Sequence, residues 1–224
     1  MKYLAITLIL TALSANAKEP KGGPIWTDPK VAAEENPDFT VQGEYDKGDT
    51  AFQVVALGNG QFHVSTYQGG LPGAGWDRSE IAKQRGDTAA VQKLLQGAKR
   101  VERISPTLGQ KAPAEAIVLF DGSNAESWKG GKVTDGLLES GSQTNDVFGD
   151  FQLHLEFRLP FKPETAPGSQ DRGNSGVYTH HRYETQVLDS FGLDYDIKSW
   201  SQKPPSDPKQ WGGCLYKFKL ADTN

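Results

Sequence analysis

The stretch FGDFQLHLEFRLPFKPETAPGSQDRGNSGVYTHHRYETQVLDS, residues 148–190, decides the fold of this chain. It contains three runs in which apolar or small residues alternate with polar ones, at positions 151–159, 173–180 and 182–190. Successive side chains of a β-strand point to opposite faces of the sheet, so a period of two predicts a strand. The first run would place five apolar side chains on one face, those of Phe151, Leu153, Leu155, Phe157 and Leu159.

Pairing of the three runs in one sheet would collect polar side chains on a shared face. Carboxylates, imidazoles, a guanidinium and amides would then lie side by side, which is more ionisable chemistry than an ordinary solvent-facing surface carries. We therefore take this face as the candidate site. Its members are His154, Glu156, Arg158, Asn174, Tyr178, His180, Glu184 and Gln186.

The composition favours a β protein and argues against nucleic acid as a partner. The 224 residues carry 24 basic and 28 acidic side chains, a net charge of −4, with no basic excess to attract phosphates. The 25 glycines, 13 prolines and 10% aromatic residues are typical of a turn-rich β fold. Cys214 is the single cysteine, so an intramolecular disulfide is excluded, and we expect it to be a small buried side chain.

Residues 1–17 have the pattern of a secretory signal peptide. Lys2 supplies the positive end, an apolar run follows over 4–13, and Ala15-Asn16-Ala17 has the small-x-small pattern of a cleavage site. The apolar run is too short to span a bilayer. We expect an exported protein, periplasmic or secreted, with no membrane partner after cleavage; an uncleaved anchor is the alternative.

The remaining chain divides into two predicted folded parts. A β-hairpin around the Gly58-Asn59-Gly60 turn marks the first, which we expect to begin with a strand at 39–41 and to include a short helix within 87–97. A Pro/Ala/Gly-rich stretch without periodicity separates it from the second. The predicted parts are an extended lead-in at 18–36, a small β-rich domain at 37–104, a linker at 105–116 and a β-sandwich at 117–224.

Short strands are predicted throughout the second part. They include residues 117–120, an Asp-Gly hairpin within 132–140, and residues 214–220 at the end of the sequence. The long loop at 191–211 carries aromatic residues that suit stacking on sugar rings, or that pin the loop to the surface. A sandwich needs both sheets to bury its core, and the strands at hand do not close one, so we expect a C-terminally incomplete domain.

Several motifs together resemble the 3-keto-disaccharide hydrolase domain family. They are LFDGSNAESW, DGLL, FGDFQLHLEFRLP, GNSGVY and YETQVLDS, and the resemblance covers residues 117–224. It implies a concanavalin-like β-sandwich of the jelly-roll type, a carbohydrate substrate, and a binding site on the concave sheet. Members of the family usually carry an Arg-Gly or similar pair after NSGVY, whereas this chain has THHR. The resemblance therefore assigns the arginine's role to Arg182 at a position where this chain departs from the family pattern.

The substrate class implied by the resemblance changes the chemistry that the site must perform. An ordinary glycosidase stabilises an oxocarbenium-like transition state between two carboxylates. A ketone at C3 instead acidifies the C2 proton, so a base can remove it and the C1 oxygen can leave by elimination before water adds. Such a site needs a base, a donor for the enolate oxygen and an acid for the leaving group.

Roles follow from the residue types. Glu184 is the first candidate for the base or acid, Tyr178 for ring stacking or acid work, and Gln186 for binding a sugar hydroxyl. Glu156 and His180 are second candidates for acid–base work; the alternative role of Glu156 and Arg158 is a cross-strand ion pair. Arg158 and Asn174 are candidate donors to the enolate oxygen or to sugar hydroxyls, and Arg158 is counted among the catalytic residues. Arg182 and Asp189 complete the substrate-binding set, and a turn cap is the alternative role of Asp189.

Two further hypotheses concern metal and function. No cofactor is expected, but a minority hypothesis places a divalent ion on the ligands His154, Glu156, His180 and Glu184. The alternative function is a lectin-like module that binds carbohydrate without cleaving it, because one fold serves both uses.

Overall fold

The computed structural model describes residues 22–193 and 207–221. Antiparallel strands dominate these residues, and the helices are short. This confirms the predicted all-β class and is consistent with the β-sandwich architecture of the resembled family. The predicted signal peptide and residues 194–206 of the aromatic loop lie outside the described residues. None of the described helices has the length and apolar character needed to cross a membrane.

A five-stranded antiparallel sheet forms the N-terminal half, in the order β4-β3-β2-β1-β5. The strongest predicted element, the β2–β3 hairpin, is confirmed. Its turn needs left-handed backbone at Asn59, with φ of 55°, and at Gly60, with φ of 68°, which is why this turn favours Asn and Gly. The strands are β1 (Gly43–Asp46), β2 (Thr50–Gly58), β3 (Gln61–Gln68), β4 (Ala82–Asp87) and β5 (Lys99–Val101).

Three short helices accompany this sheet: α1 (Pro29–Glu35), α2 (Pro37–Val41) and α3 (Thr88–Leu94). The predictions of an extended lead-in through residue 36 and of a strand at 39–41 are wrong. Asp28 and Asn36 cap α1 and α2 by accepting backbone N–H groups, and each helix has proline at its start, where the fixed φ suits a helix. The predicted helix within 87–97 is confirmed, and Asp87 is its N-cap.

The two faces of β2 pack against different parts of the chain. Phe52, Val54 and Ala56 face a core cluster that also contains Phe161, from far along the sequence. Val55 points the other way, into a second cluster with Leu193, Trp211 and Cys214. Residues on both sides of the predicted linker therefore share hydrophobic cores, while the domain boundary at 105–116 stays a prediction. The expected burial of the single cysteine is confirmed, since Cys214 is 2% exposed.

The C-terminal half contains short two-stranded ladders. The predicted Asp-Gly hairpin is confirmed, with φ of 50° at Asp135 and 73° at Gly136 between β7 and β8. The predicted strand at 214–220 is reduced to bridges that Leu215 makes with Thr185 and Lys219. The ladders are β6 (Trp128–Lys129) with β9 (Gln143–Thr144), β7 (Val133–Thr134) with β8 (Leu137–Leu138), and β10 (Ser175–Thr179) with β11 (Tyr183–Val187); a 3-10 helix covers Pro208–Gln210.

Two predicted strands are absent from the described residues, those at 117–120 and 151–159. A strand is stable only when its backbone groups find partners and one of its faces is buried. Four of the five apolar side chains of the second segment are about half exposed, from 49% at Leu155 to 60% at Phe157, and Leu159 is partly buried. The segment therefore has the alternating residues of a strand, but no neighbouring strand among the described residues pairs with it.

Candidate functional site

The site is built on the β10–β11 hairpin. Its two strands pair antiparallel, with Gly176 opposite Gln186 and Tyr178 opposite Glu184. Directly opposite residues of a ladder point to the same face. The predicted common face of Tyr178, Glu184 and Gln186 is therefore confirmed.

A tight turn joins the two strands. His180 and His181 both adopt left-handed backbone, with φ of 53° and 54°, and the Arg182 N–H donates to the Thr179 carbonyl at 3.1 Å. The side chains of His180 and Arg182 are exposed at this end of the hairpin. Asn174 is also exposed and lies directly before β10, at the opposite end.

The centre of the hairpin face is a hydrogen-bonded pair. The Tyr178 hydroxyl donates to Glu184 Oε2 at 2.7 Å. Gly176 makes room for this carboxylate, because a Cβ at that position would lie 2.1 Å from Glu184 Oε1. Tyr178 is 61% exposed, so a ligand can reach the pair from solvent.

The carboxylate changes the acid–base behaviour of the phenol. Its hydrogen bond to Glu184, first, and the nearby negative charge raise the pKa of Tyr178 above its ordinary value, since both favour the neutral phenol. Tyr178 is thus held as a proton donor that points at a carboxylate. This arrangement can move a proton between the two groups.

Two further predicted residues, Gln186 on β11 and Asp189 two residues beyond it, bond to other parts of the protein. Gln186 is buried, and its Nε2 donates to Gln170 Oε1 and to the Gln210 carbonyl, both at 3.2 Å. Asp189 Oδ2 accepts from Arg172 Nε at 2.6 Å, and Asp189 Oδ1 accepts from the Phe191 N–H at 3.2 Å. The bond to Phe191 matches the turn-cap role considered for Asp189.

Arg172 is the buried residue that sequence reasoning missed. It is 1% exposed and donates through Nη1 to the Thr165 carbonyl at 2.9 Å, besides its bond to Asp189. Arg172 lies in an irregular loop without periodicity, so no local pattern marks it as buried. The only sequence feature that could have indicated its burial is its place in a glycine-rich turn just before a strand, and an exposed arginine fits that place equally well.

The predicted face of three strands is wrong, because the segment carrying His154, Glu156 and Arg158 does not join the hairpin. All three side chains are exposed. Glu156 Oε1 accepts from the Gly109 N–H at 2.6 Å and lies 3.3 Å from His154 Nε2. These contacts, with the Gly109 bond first, lower the pKa of Glu156. The Glu156 carboxylate therefore contacts Gly109, in the predicted linker, and His154, in its own segment, rather than the hairpin.

The metal hypothesis gains no support from the described residues. Nowhere in 22–193 or 207–221 do three or more His, Cys, Asp or Glu side chains gather closely enough to hold an ion. This includes the four ligands that were considered, since two of them lie on the unpaired segment.

A groove of about 240 Å³ lies elsewhere, between the β2–β3 hairpin and residues 163–167. Leu57, Phe62, Arg85 and Glu164 contribute to its walls. It contains none of the predicted site residues. We therefore take the hairpin face, which carries the Tyr178–Glu184 pair, rather than this groove, as the candidate site.

Comparison with known proteins gives one match, to a protein-family model. No curated protein and no solved structure matches the chain. A family model, described as the 3-keto-alpha-glucoside-1,2-lyase-like domain, matches residues 115–224, which include the whole hairpin and all of the predicted second part at 117–224. This match spans 110 of the 224 residues, and it is to the family that the sequence motifs resemble, the 3-keto-disaccharide hydrolase domain family.

Proposed function

We propose that residues 115–224 cleave the glycosidic bond of 3-keto-glycosides by elimination followed by hydration. The observation that carries this proposal is the Tyr178–Glu184 hydrogen bond on the open hairpin face. The family match supports this substrate class, and the pair offers the acid and the base that the reaction needs.

Glu184 acts as the base in this proposal. Its carboxylate takes the proton from C2, which the neighbouring C3 ketone has acidified, and the C2–H electrons form the enolate. The second carboxylate oxygen can do this while Oε2 still accepts from Tyr178. Asn174, exposed at the start of β10, is the proposed amide donor to the substrate's oxygens.

Tyr178 acts as the acid for the leaving group. The enolate collapses to a C1–C2 double bond as the C1–O bond breaks, and the phenol gives its proton to the departing oxygen. The proton that Glu184 gained then passes along the 2.7 Å hydrogen bond to the phenolate, which restores both groups. Addition of water across the double bond completes a net hydrolysis.

The elevated pKa of Tyr178 supports this assignment of roles. A phenol whose pKa is raised stays protonated over the whole physiological range, so the acid is present under those conditions. Glu184 is partly buried, and its carboxylate lies within hydrogen-bond distance of the Tyr178 hydroxyl.

A direct test separates the two roles. Glu184→Gln should abolish both cleavage of a 3-keto-glucoside and exchange of its C2 hydrogen with D2O. Tyr178→Phe should slow cleavage while C2 exchange continues, because only the leaving-group step loses its acid. Thr185→Ala is the matched control, since Thr185 lies on the same strand but on the opposite face. Wild-type rates in Glu184→Gln would contradict the proposal.

A carbohydrate-binding module without catalysis is the second candidate function. The observation in its favour is the 61% exposure of the Tyr178 ring, which can stack on a sugar with no chemistry. Binding of unoxidised glycans by the wild-type protein, with no product from 3-keto-glycosides, would favour this function over the enzyme.

We extend the proposal to export of the protein. The apolar run over 4–13 and the Ala15-Asn16-Ala17 pattern support it. Expression of the full chain followed by N-terminal sequencing of the exported product should give a chain that begins at Lys18. A product that keeps Met1 and stays inside the cell would contradict export.

A further inference from the structure

One buried ion pair closes the end of the β10–β11 hairpin that lies opposite its turn. Arg172 precedes β10 by three residues, and Asp189 follows β11 by two. Their side chains meet at 2.6 Å between Nε and Oδ2, with side-chain exposures of 1% and 11%. The same two residues also bond through the backbone, since the Asp189 N–H donates to the Arg172 carbonyl at 3.1 Å.

The pair fixes more than its own two residues. Arg172 Nη1 holds the Thr165 carbonyl, and the Arg172 N–H donates to the Ser169 carbonyl at 2.9 Å, so the loop before β10 is tied to the end of β11. From this closed end, the ladder runs with Ser175 opposite Val187 to Tyr178 opposite Glu184. A slip of one residue would turn every side chain of a strand to the other face.

The hydrogen bonds of Arg172 leave one of its buried donors unsatisfied, so they do not maximise stability. Its Nη2 is buried, and no partner for it is present among the described residues. A buried donor without a partner costs free energy, and a buried ion pair is weak grounds for stability, because desolvation offsets the attraction. Fixing one register among alternatives is the best-attested use of such a pair.

We propose that Arg172 and Asp189 are positioning residues, which act by locking the hairpin register that brings Tyr178 onto Glu184. They touch no substrate in this proposal. The inference concerns the site used in the proposed function, but the geometry of the Tyr178–Glu184 pair can be measured without any substrate.

The test removes both charges at once, so that neither is left buried alone. In the double variant Arg172→Met/Asp189→Leu, we expect a folded protein in which the Tyr178–Glu184 hydrogen bond is lost. The readout is the titration of the Tyr178 phenol, followed by NMR of ring-labelled tyrosine and assigned with Tyr178→Phe. Its pKa should fall toward the ordinary value of 10.0.

A matched control uses another arginine–carboxylate pair of the same chain. Arg103 Nη2 lies 2.5 Å from Glu44 Oε1, in the N-terminal half and away from the hairpin. The double variant Arg103→Met/Glu44→Leu should leave the Tyr178 titration unchanged. Arg172→Lys, which keeps the charge but loses the planar fork, should give an intermediate Tyr178 titration.

The outcomes are distinct. An unchanged Tyr178 titration in folded Arg172→Met/Asp189→Leu would overturn the inference, and so would a failure of that double variant to fold, because the pair would then serve stability. A protein without activity on 3-keto-glycosides but with the expected change in Tyr178 titration would refute the proposed function and leave the positioning role standing. In an active protein, kcat should fall at least tenfold in the double variant while KM changes little.

Discussion

The Tyr178 hydroxyl lies 2.7 Å from Glu184 Oε2, directly across the β10–β11 ladder, and donates its hydrogen bond to that carboxylate. Neither side chain would be poised for proton transfer alone, because an isolated phenol or carboxylate on an open surface bonds to water. The contact depends on the ladder register and on the absence of a side chain at Gly176.

The first prediction concerns the phenol. Since Glu184 raises the pKa of Tyr178, Glu184→Gln should lower that pKa toward 10.0, and the change should be visible in the tyrosine titration of the folded protein. The wild-type phenol should remain protonated beyond pH 10. A Tyr178 titration that is the same in wild type and Glu184→Gln would show that the two groups do not interact in solution.

The second prediction concerns Gly176→Ala. The added methyl would meet the Glu184 carboxylate, a flexible group that can move, so we expect little change in Tm. Displacing that carboxylate from the reacting atoms should lower kcat roughly 10²-fold. Gly149→Ala is the control, because a Cβ at Gly149 meets nothing within 4 Å. Equal activity in the two variants would contradict the proposed position of the base.

The third prediction concerns the packing between the two halves of the chain. Phe161 is 5% exposed and packs against Phe39 at 5.1 Å and Trp26 at 5.7 Å between ring centroids. Phe161→Ala should therefore lower the free energy of unfolding by about 3–5 kcal/mol, as measured by denaturant titration. Phe151→Ala, at a side chain that is 50% exposed, should change it by no more than about 0.5 kcal/mol. Similar effects of the two substitutions would show that Phe161 is not part of the core.

The fourth prediction concerns stability against pH. Burial, first, and then the charges of Arg85 and Lys83 lower the pKa of His63 from 6.5 to about 4. His63 lies opposite Arg85 in the sheet, and its Nε2 is 3.3 Å from Ser65 Oγ. The folded protein therefore excludes a proton that the unfolded chain accepts below pH 6.5.

The sign of this effect follows from linkage. As the pH falls from 7 to 4, the unfolded state gains the His63 proton and the folded state does not, so this contribution to stability is lost over that range. The pKa difference corresponds to about 3 kcal/mol. In His63→Gln, the free energy of unfolding should depend less on pH by that amount between pH 7 and 4, as urea titrations would measure. A difference between the two proteins that is independent of pH would contradict a buried neutral His63.

Local sequence signals determined the turns and the parity of the strands. The Gly58-Asn59-Gly60 and Asp135-Gly136 turns fold as predicted, because left-handed backbone is a property of the residues themselves. The common face of Tyr178, Glu184 and Gln186 follows from a period of two on each strand. The motifs within 117–224 resemble the family whose model matches residues 115–224, because such motifs are read residue by residue.

Only the tertiary structure decided which segments meet. Residues 151–159 alternate as clearly as β10 and β11 do, yet they remain unpaired, because a strand's partner is chosen by contacts distant in sequence. Phe161 likewise packs into the N-terminal core, which no local pattern predicts. The spacing of Arg172 and Asp189 in the sequence does not predict their ion pair either. Periodicity is a local property of the chain, whereas burial and pairing depend on the whole fold.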